Sequence, residues 1–148
     1  MTKIYIGSDH AGFELKAKLI EYLKVLGHEI EDKGAFSLNP NDDYPDFMKP
    51  VAQAVANELE SRGIVIGMSG QGEAMCANRF KNVRAAVYYG GSIEIVRLSR
   101  EHNDANVLAL GSYFLQSNEP LDAVETWLAT PFSGDERHVR RIAKIDAQ

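Results

Sequence analysis

The chain has 148 residues, 45% of them apolar and 25% charged, with a formal net charge of −5. That length fits one domain that buries roughly two thirds of its unfolded surface without staples, and the acidic balance excludes a general binder of nucleic acid or membrane surface, whose affinity comes from Lys and Arg. A single cysteine, Cys76, excludes an internal disulfide framework and a cysteine-based zinc site, and without a signal segment or a ~20-residue apolar run a cytoplasmic protein is expected.

KIYIG (Lys3 to Gly7) is a β-branched and aromatic run ending at glycine, and GFELKAKLIEYLKVLG after it has helical spacing, so the chain opens as strand then helix. Leu15, Leu19, Leu23 and Leu26 fall on one face of that helix, Lys16, Lys18 and Glu21 lie largely off it, and Gly27 is the expected stop. HEIEDKG reads as the second strand. Turn-rich AFSLNPNDDYPD leads into the helix DFMKPVAQAVANELESRG, with Pro45 suited to its first turn and Pro50 marking either a kink or a later start. The unit then repeats: GIVIGMS is a strand, EAMCANRF a helix, VRAAVYY a strand, SIEIVRLSREHN a helix, ANVLALG a strand and EPLDAVETWLAT a helix. A last helix, DERHVRRIAKIDA, at about residues 135–146, follows PFSG.

Alternating β and α segments with nearly continuous apolar strands predict an α/β fold, a five-stranded parallel sheet covered by helices on both faces in one domain over residues 1–148. Ligands of such sheets bind where strands run out into helices, so the loops should carry the chemistry. Three stretches are loaded: GSDHAG with Asp9 and His10, MSGQGE with Glu73, and SREHNDAN with His102 and Asn103. All three are expected on the ligand side. Each also has a plain structural reading. Asp9 suits a helix N-cap, Glu73 suits the helix dipole, and His102 with Asn103 suits a helix C-cap. Cys76 suits a small buried hydrophobe, and Arg137 and Arg141, spaced i and i+4, suit a solvated helix face. Their joint occurrence favours a site. A glycine-rich loop opening a helix normally holds an anion on its N–H groups, which makes the carboxylate of Glu73 in the first turn the odd feature.

Gly70 and Gly72 do not complete a dinucleotide fingerprint, because Met75 stands where the third glycine is needed and the loop follows the third strand, not the first. No GK[ST] follows, which excludes a P-loop. His10, His28, His102 and His138 lack paired ligand spacing, so no metal site is expected.

IGSDHAGFELK, DDYP, GMSGQGEAMCANRF, SREHNDANVLALGS and ERHVRR together resemble the ribose-5-phosphate isomerase B family, which also contains galactose-6-phosphate and allose-6-phosphate isomerases. The likeness spans nearly the whole chain. It implies a Rossmann-like three-layer α/β/α sandwich, a homodimer or higher oligomer whose sites are completed by the partner chain, a sugar phosphate as ligand, and no cofactor. It further implies interconversion of D-ribose 5-phosphate and D-ribulose 5-phosphate through an enediolate, in the non-oxidative branch of the pentose phosphate pathway.

Such a reaction moves a proton between C1 and C2, so a base must stand beside a stabiliser of negative oxygen. By resemblance Glu73 is the base, where another branch of the family uses a cysteine at the position of Gly67. Ser69 and the N–H groups of Gly70, Gly72 and Glu73 would hold the oxyanion, with Met68 and Gln71 also lining the substrate. His102 would protonate the ring oxygen while Asp9 takes the anomeric proton, Asn103 would contact substrate, and His10, Arg137 and Arg141 would bind phosphate. The two arginines are expected from the partner subunit. Tyr113 replaces an arginine common in the family and Met68 replaces the usual glycine. A six-carbon sugar phosphate therefore stays open as the substrate. A non-catalytic sugar-phosphate-binding module is the alternative from another class, and a carboxylate placed beside an anionic ligand argues against it.

Overall fold

The computed structural model describes residues 1–147. Five strands form one parallel sheet: β1 (Lys3–Ser8), β2 (Glu29–Asp32), β3 (Arg62–Gly67), β4 (Ala85–Tyr88) and β5 (Val107–Gly111), in the order β2-β1-β3-β5-β4. Six α-helices accompany them: α1 (Phe13–Val25), α2 (Pro45–Asn57), α3 (Gln71–Ala77), α4 (Glu94–Glu101), α5 (Glu119–Ala129) and α6 (Glu136–Asp146). The α/β/α class expected from the alternation is what forms.

The layers follow from the period-2 alternation of each strand. Ile4, Ile6, Ile64, Ile66, Leu108 and Leu110 point to one face and pack with Leu19 and Leu23 of α1 and Val124 and Trp127 of α5. Tyr5, Val65, Val107 and Ala109 point to the other and pack with Met48, Val51 and Val55 of α2 and Ala74 and Ala77 of α3. Strands buried on both sides read as continuous apolar runs, which explains GIVIG and NVLALG.

Three expectations need correction. Leu26 is 46% exposed, outside the core face assigned to it, because α1 ends at Val25 and Gly27 turns the chain away with φ +91°. Lys16 is 3% exposed although its position is off the leucine stripe, because its ammonium donates to Asp32 Oδ1 (2.7 Å) and to the carbonyl of Ala35 (2.6 Å). The stem is buried and the charge is paired, so the lysine anchors the loop after β2. The second helix starts at Pro45, continues through Pro50 and stops at Asn57, because Arg62 and Gly63 belong to β3.

The order of strands places the reversal of winding between β1 and β3, the point at which parallel sheets of this kind open a crevice at their carboxyl edge.

Candidate active site

The loops after β1 and β3 meet at that crevice. The carboxylate of Asp9, 7% exposed, accepts from the N–H of Ala11 (3.0 Å) and of Gly12 (3.3 Å), so the capping role read from sequence is real and holds the side chain in one orientation. Gly12 lets this turn press onto β3, since a Cβ there would stand 2.8 Å from Ile66 O. Ser112 ties the loops together: its hydroxyl lies 2.9 Å from Ala11 O and 3.0 Å from Gly67 O, and its N–H donates to Gly67 O at 2.8 Å.

Glu73 is 4% exposed in the first turn of α3. Its carboxyl group occupies the space that a side chain at position 67 would need: a Cβ on Gly67 would lie 2.2 Å from Glu73 Cδ. Glycine at the end of β3 and glutamate at the start of α3 are thus one device, and a cysteine at 67 would displace the carboxylate. Burial pushes the Glu73 carboxyl above its ordinary range, the neighbouring charge of Asp9 adds to the rise, and the backbone N–H groups of Glu73 and Gly70 oppose it. Asp9 is likewise raised, chiefly by burial. Gly70 supplies the left-handed turn (φ +79°) that aims the loop, and Ser69 Oγ accepts from the N–H of Gln71 at 3.2 Å. Met68 is 50% exposed and Tyr113 64% exposed, beside each other through the bond from Tyr113 N–H to Met68 O (3.1 Å).

His10 brings in residues to which no role was given from sequence. Its Nδ1 lies 2.6 Å from Asp42 Oδ1, which also accepts from the His10 backbone N–H at 3.2 Å. That bond raises the imidazole above its ordinary value and favours a cation whose free Nε2 can face an anion. Tyr44 stands at the same place, with its hydroxyl 2.6 Å from where a Cβ on Gly72 would be. DDYP carried the signal for both residues, but only the folded loop brings them to the strand ends. The ligand atoms of Asp9, His10 and Asp42 lie within 4.8 Å of one another. Existing hydrogen bonds already engage all three, so the cluster reads as an oriented histidine.

The third loaded stretch lies elsewhere. His102 closes α4 as its C-cap and precedes β5, so it sits at the amino edge of the sheet. The Asn103 carbonyl accepts from Arg84 Nε (3.2 Å) just before β4, and Asp104 is clamped by Arg84 (3.2 Å) and Arg100 (2.9 Å). β5 pairs Val107 with Gly63 and Gly111 with Gly67, so the five residues of β5, roughly 3.3 Å each, separate His102 from the Glu73 end. The expectation that SREHNDAN lies on the ligand side therefore fails: a loop entering a parallel strand and a loop leaving it are at opposite edges. His138 of α6 stacks on His102 with ring centroids 4.3 Å apart, which places exposed Arg137 and Arg141 beside this second group. Cys76 is partly buried among the α2 and α3 side chains, and burial raises its thiol, consistent with packing.

The fold is shared with known proteins. The chain is 42% identical over 140 residues to ribose-5-phosphate isomerase B of Mycobacterium leprae, covering 95% of this chain and 85% of the relative. A solved ribose-5-phosphate isomerase B of Clostridium thermocellum superposes with a TM-score of 0.92 at 45% identity, over 98% of this chain and 95% of the other. The enzyme of Mycoplasma genitalium, solved with bound ribulose 5-phosphate, superposes with a TM-score of 0.93 at 40% identity, over 98% and 94% of the two chains. The family described as Ribose/Galactose Isomerase matches residues 4–145, and this chain belongs to it.

Proposed function

We propose that the protein interconverts D-ribose 5-phosphate and D-ribulose 5-phosphate through an enediolate, with Glu73 as the base. The observation that carries this reading is the buried carboxylate of Glu73 held in the space left by Gly67 at the strand crevice. A carboxyl raised by burial is a stronger base than a solvated one, and the N–H groups that begin α3 stand beside it to receive negative oxygen. The loop's anion is then the transient oxyanion at O1 and O2. The ligand named for the Mycoplasma genitalium relative supports the five-carbon substrate.

The sugar enters largely as a furanose. Asp9 takes the proton of the anomeric hydroxyl while His102 gives one to the ring oxygen, and the C1–O4 bond opens to the aldehyde. Glu73 then removes the C2 proton to form the enediolate, a proton passes from O2 to O1, and Glu73 returns its own proton at C1, leaving the ketone at C2. His10, Arg137 and Arg141 hold the phosphate, arginine offering forked, permanent donors, and Asn103 contacts the substrate. One chain cannot perform both steps, since the His102 group and the Glu73 group sit at opposite edges of its sheet. The site is therefore built between two chains, with His102, Asn103 and α6 of each reaching the partner's crevice, and a C2 homodimer supplies two such sites. Among the described residues no helix is long and apolar enough to cross a membrane, in keeping with a protein that works on a small water-soluble substrate.

The test is a coupled assay across five- and six-carbon aldose phosphates with the native chain and Glu73→Gln. Ribose 5-phosphate is expected to give the largest kcat/KM, and the variant is expected to lose on the order of 10²–10⁴ in kcat with its fold kept. A preference for allose or galactose 6-phosphate would reassign the substrate, and activity within a few-fold would remove Glu73 from the base's role.

A further inference from the structure

His138 has no part in the steps above, yet it is the one buried residue of α6. It directly follows Arg137 and lies about one turn before Arg141. Its ring lies nearly parallel to that of His102, at 17° and 4.3 Å between centroids. Nε2 is buried and has no hydrogen-bond partner among the described residues, so what this ring offers its neighbour is its face.

We propose that His138 is a positioning residue: its face fixes the plane of the His102 ring and fastens α6 to the end of α4, so that the proton donor and the two arginines reach the partner's crevice as one rigid piece. The inference rests on the reading of His102 as the ring-opening acid. Without the stack, His102 would turn about its side-chain bonds at a helix end, and misplacement of a donor by about 1 Å is enough to lose on the order of 10² in rate. The charges facing His138 are His102 from α4 and Asp135, Arg137 and Arg141 from its own helix. Burial, then His102 and the two arginines, push His138 below its ordinary value, against Asp135. That lowering favours the neutral ring of His138, whose face lies against the His102 ring.

The experiment compares His138→Ala and His138→Phe with the native full-length protein and runs His102→Asn in parallel. In histidine-labelled protein, ring-current displacement of the His102 ring protons is expected in the native chain, kept by His138→Phe and lost in His138→Ala. Unchanged His102 shifts in His138→Ala would overturn the stack. At saturating substrate, His138→Ala is expected to slow ribose 5-phosphate turnover about ten-fold or more while solvent exchange at C1 of ribulose 5-phosphate, which needs no ring opening, stays within about two-fold. His138→Phe is expected to restore turnover. Equal loss of both activities, or of neither, would overturn the positioning role. If His102→Asn shows no such asymmetry, the acid's assignment fails, while the resonance shifts still decide whether His138 holds that ring.

Discussion

The two edges of the sheet are built differently. At the carboxyl edge, Asp9 and Glu73 are nearly buried and held by backbone N–H groups, Glu73 fills the space left by Gly67, and Gly12 and Gly72 let Ile66 and Tyr44 press close. At the amino edge, His102 stands at a helix end and Arg137 and Arg141 are exposed on α6, their order coming from the His138 stack and the clamp of Arg84 and Arg100 on Asp104. The contrast matches the tasks proposed for each edge. A base benefits from burial that raises its carboxyl, whereas phosphate donors must stay charged and reach outward.

The strongest way to break this comparison is to separate the two edges genetically. Glu73→Gln removes the proposed base, and the double variant Arg137→Ala, Arg141→Ala removes the proposed phosphate clamp, so each alone should be nearly silent at low substrate. If each site takes one edge from each chain, re-paired equal mixtures contain about half mixed dimers with one intact site of two, and roughly a quarter of native activity should return. No recovery, with subunit exchange verified by mass, would put both edges to work within one chain.

A smaller effect is expected from Gly67→Ala. The new methyl would meet the carboxyl of Glu73, which lies 2.2 Å from that position, and must push it aside. Turnover should fall by on the order of 10² while stability drops by about 1–3 kcal/mol, the usual range for overpacking. Full activity in this variant would mean that the carboxylate need not occupy that place.

The smallest effect is thermal. Glu73 and Asp9 both have folded values raised above their unfolded ones, so the folded state holds their protons more tightly. Their contribution to stability is greatest below the unfolded carboxylate range and is lost as pH rises through the folded values. Glu73→Gln should therefore melt about 2–4 °C above the native chain at pH 8, the shift of roughly 1 kcal/mol at this size. The gain should disappear near pH 4. An equal shift at both values would show that charge burial is not its cause.

Much was legible without coordinates. Continuous apolar strands alternating with amphipathic helices determined the parallel three-layer sheet, because burial on both faces leaves no other pattern, and the motifs identified the family. The N-cap at Asp9 and the stop at Gly27 were local, and local chemistry is written in neighbouring residues. What lay beyond neighbours was not. Lys16 is buried because Asp32 and Ala35 wait for its ammonium across the loop after β2. Asp42 and Tyr44 matter because a turn more than thirty residues from Asp9 folds back on the strand ends. His102 looked like a neighbour of Glu73 and is held a strand's length away, since whether a loop enters or leaves a parallel strand decides its edge. The sequence by itself determined the fold class and the family, and it contains every group that the proposed chemistry uses. Only the tertiary structure decided that one chain holds them apart, because strand direction and register are set by long-range pairing that no single stretch of residues contains.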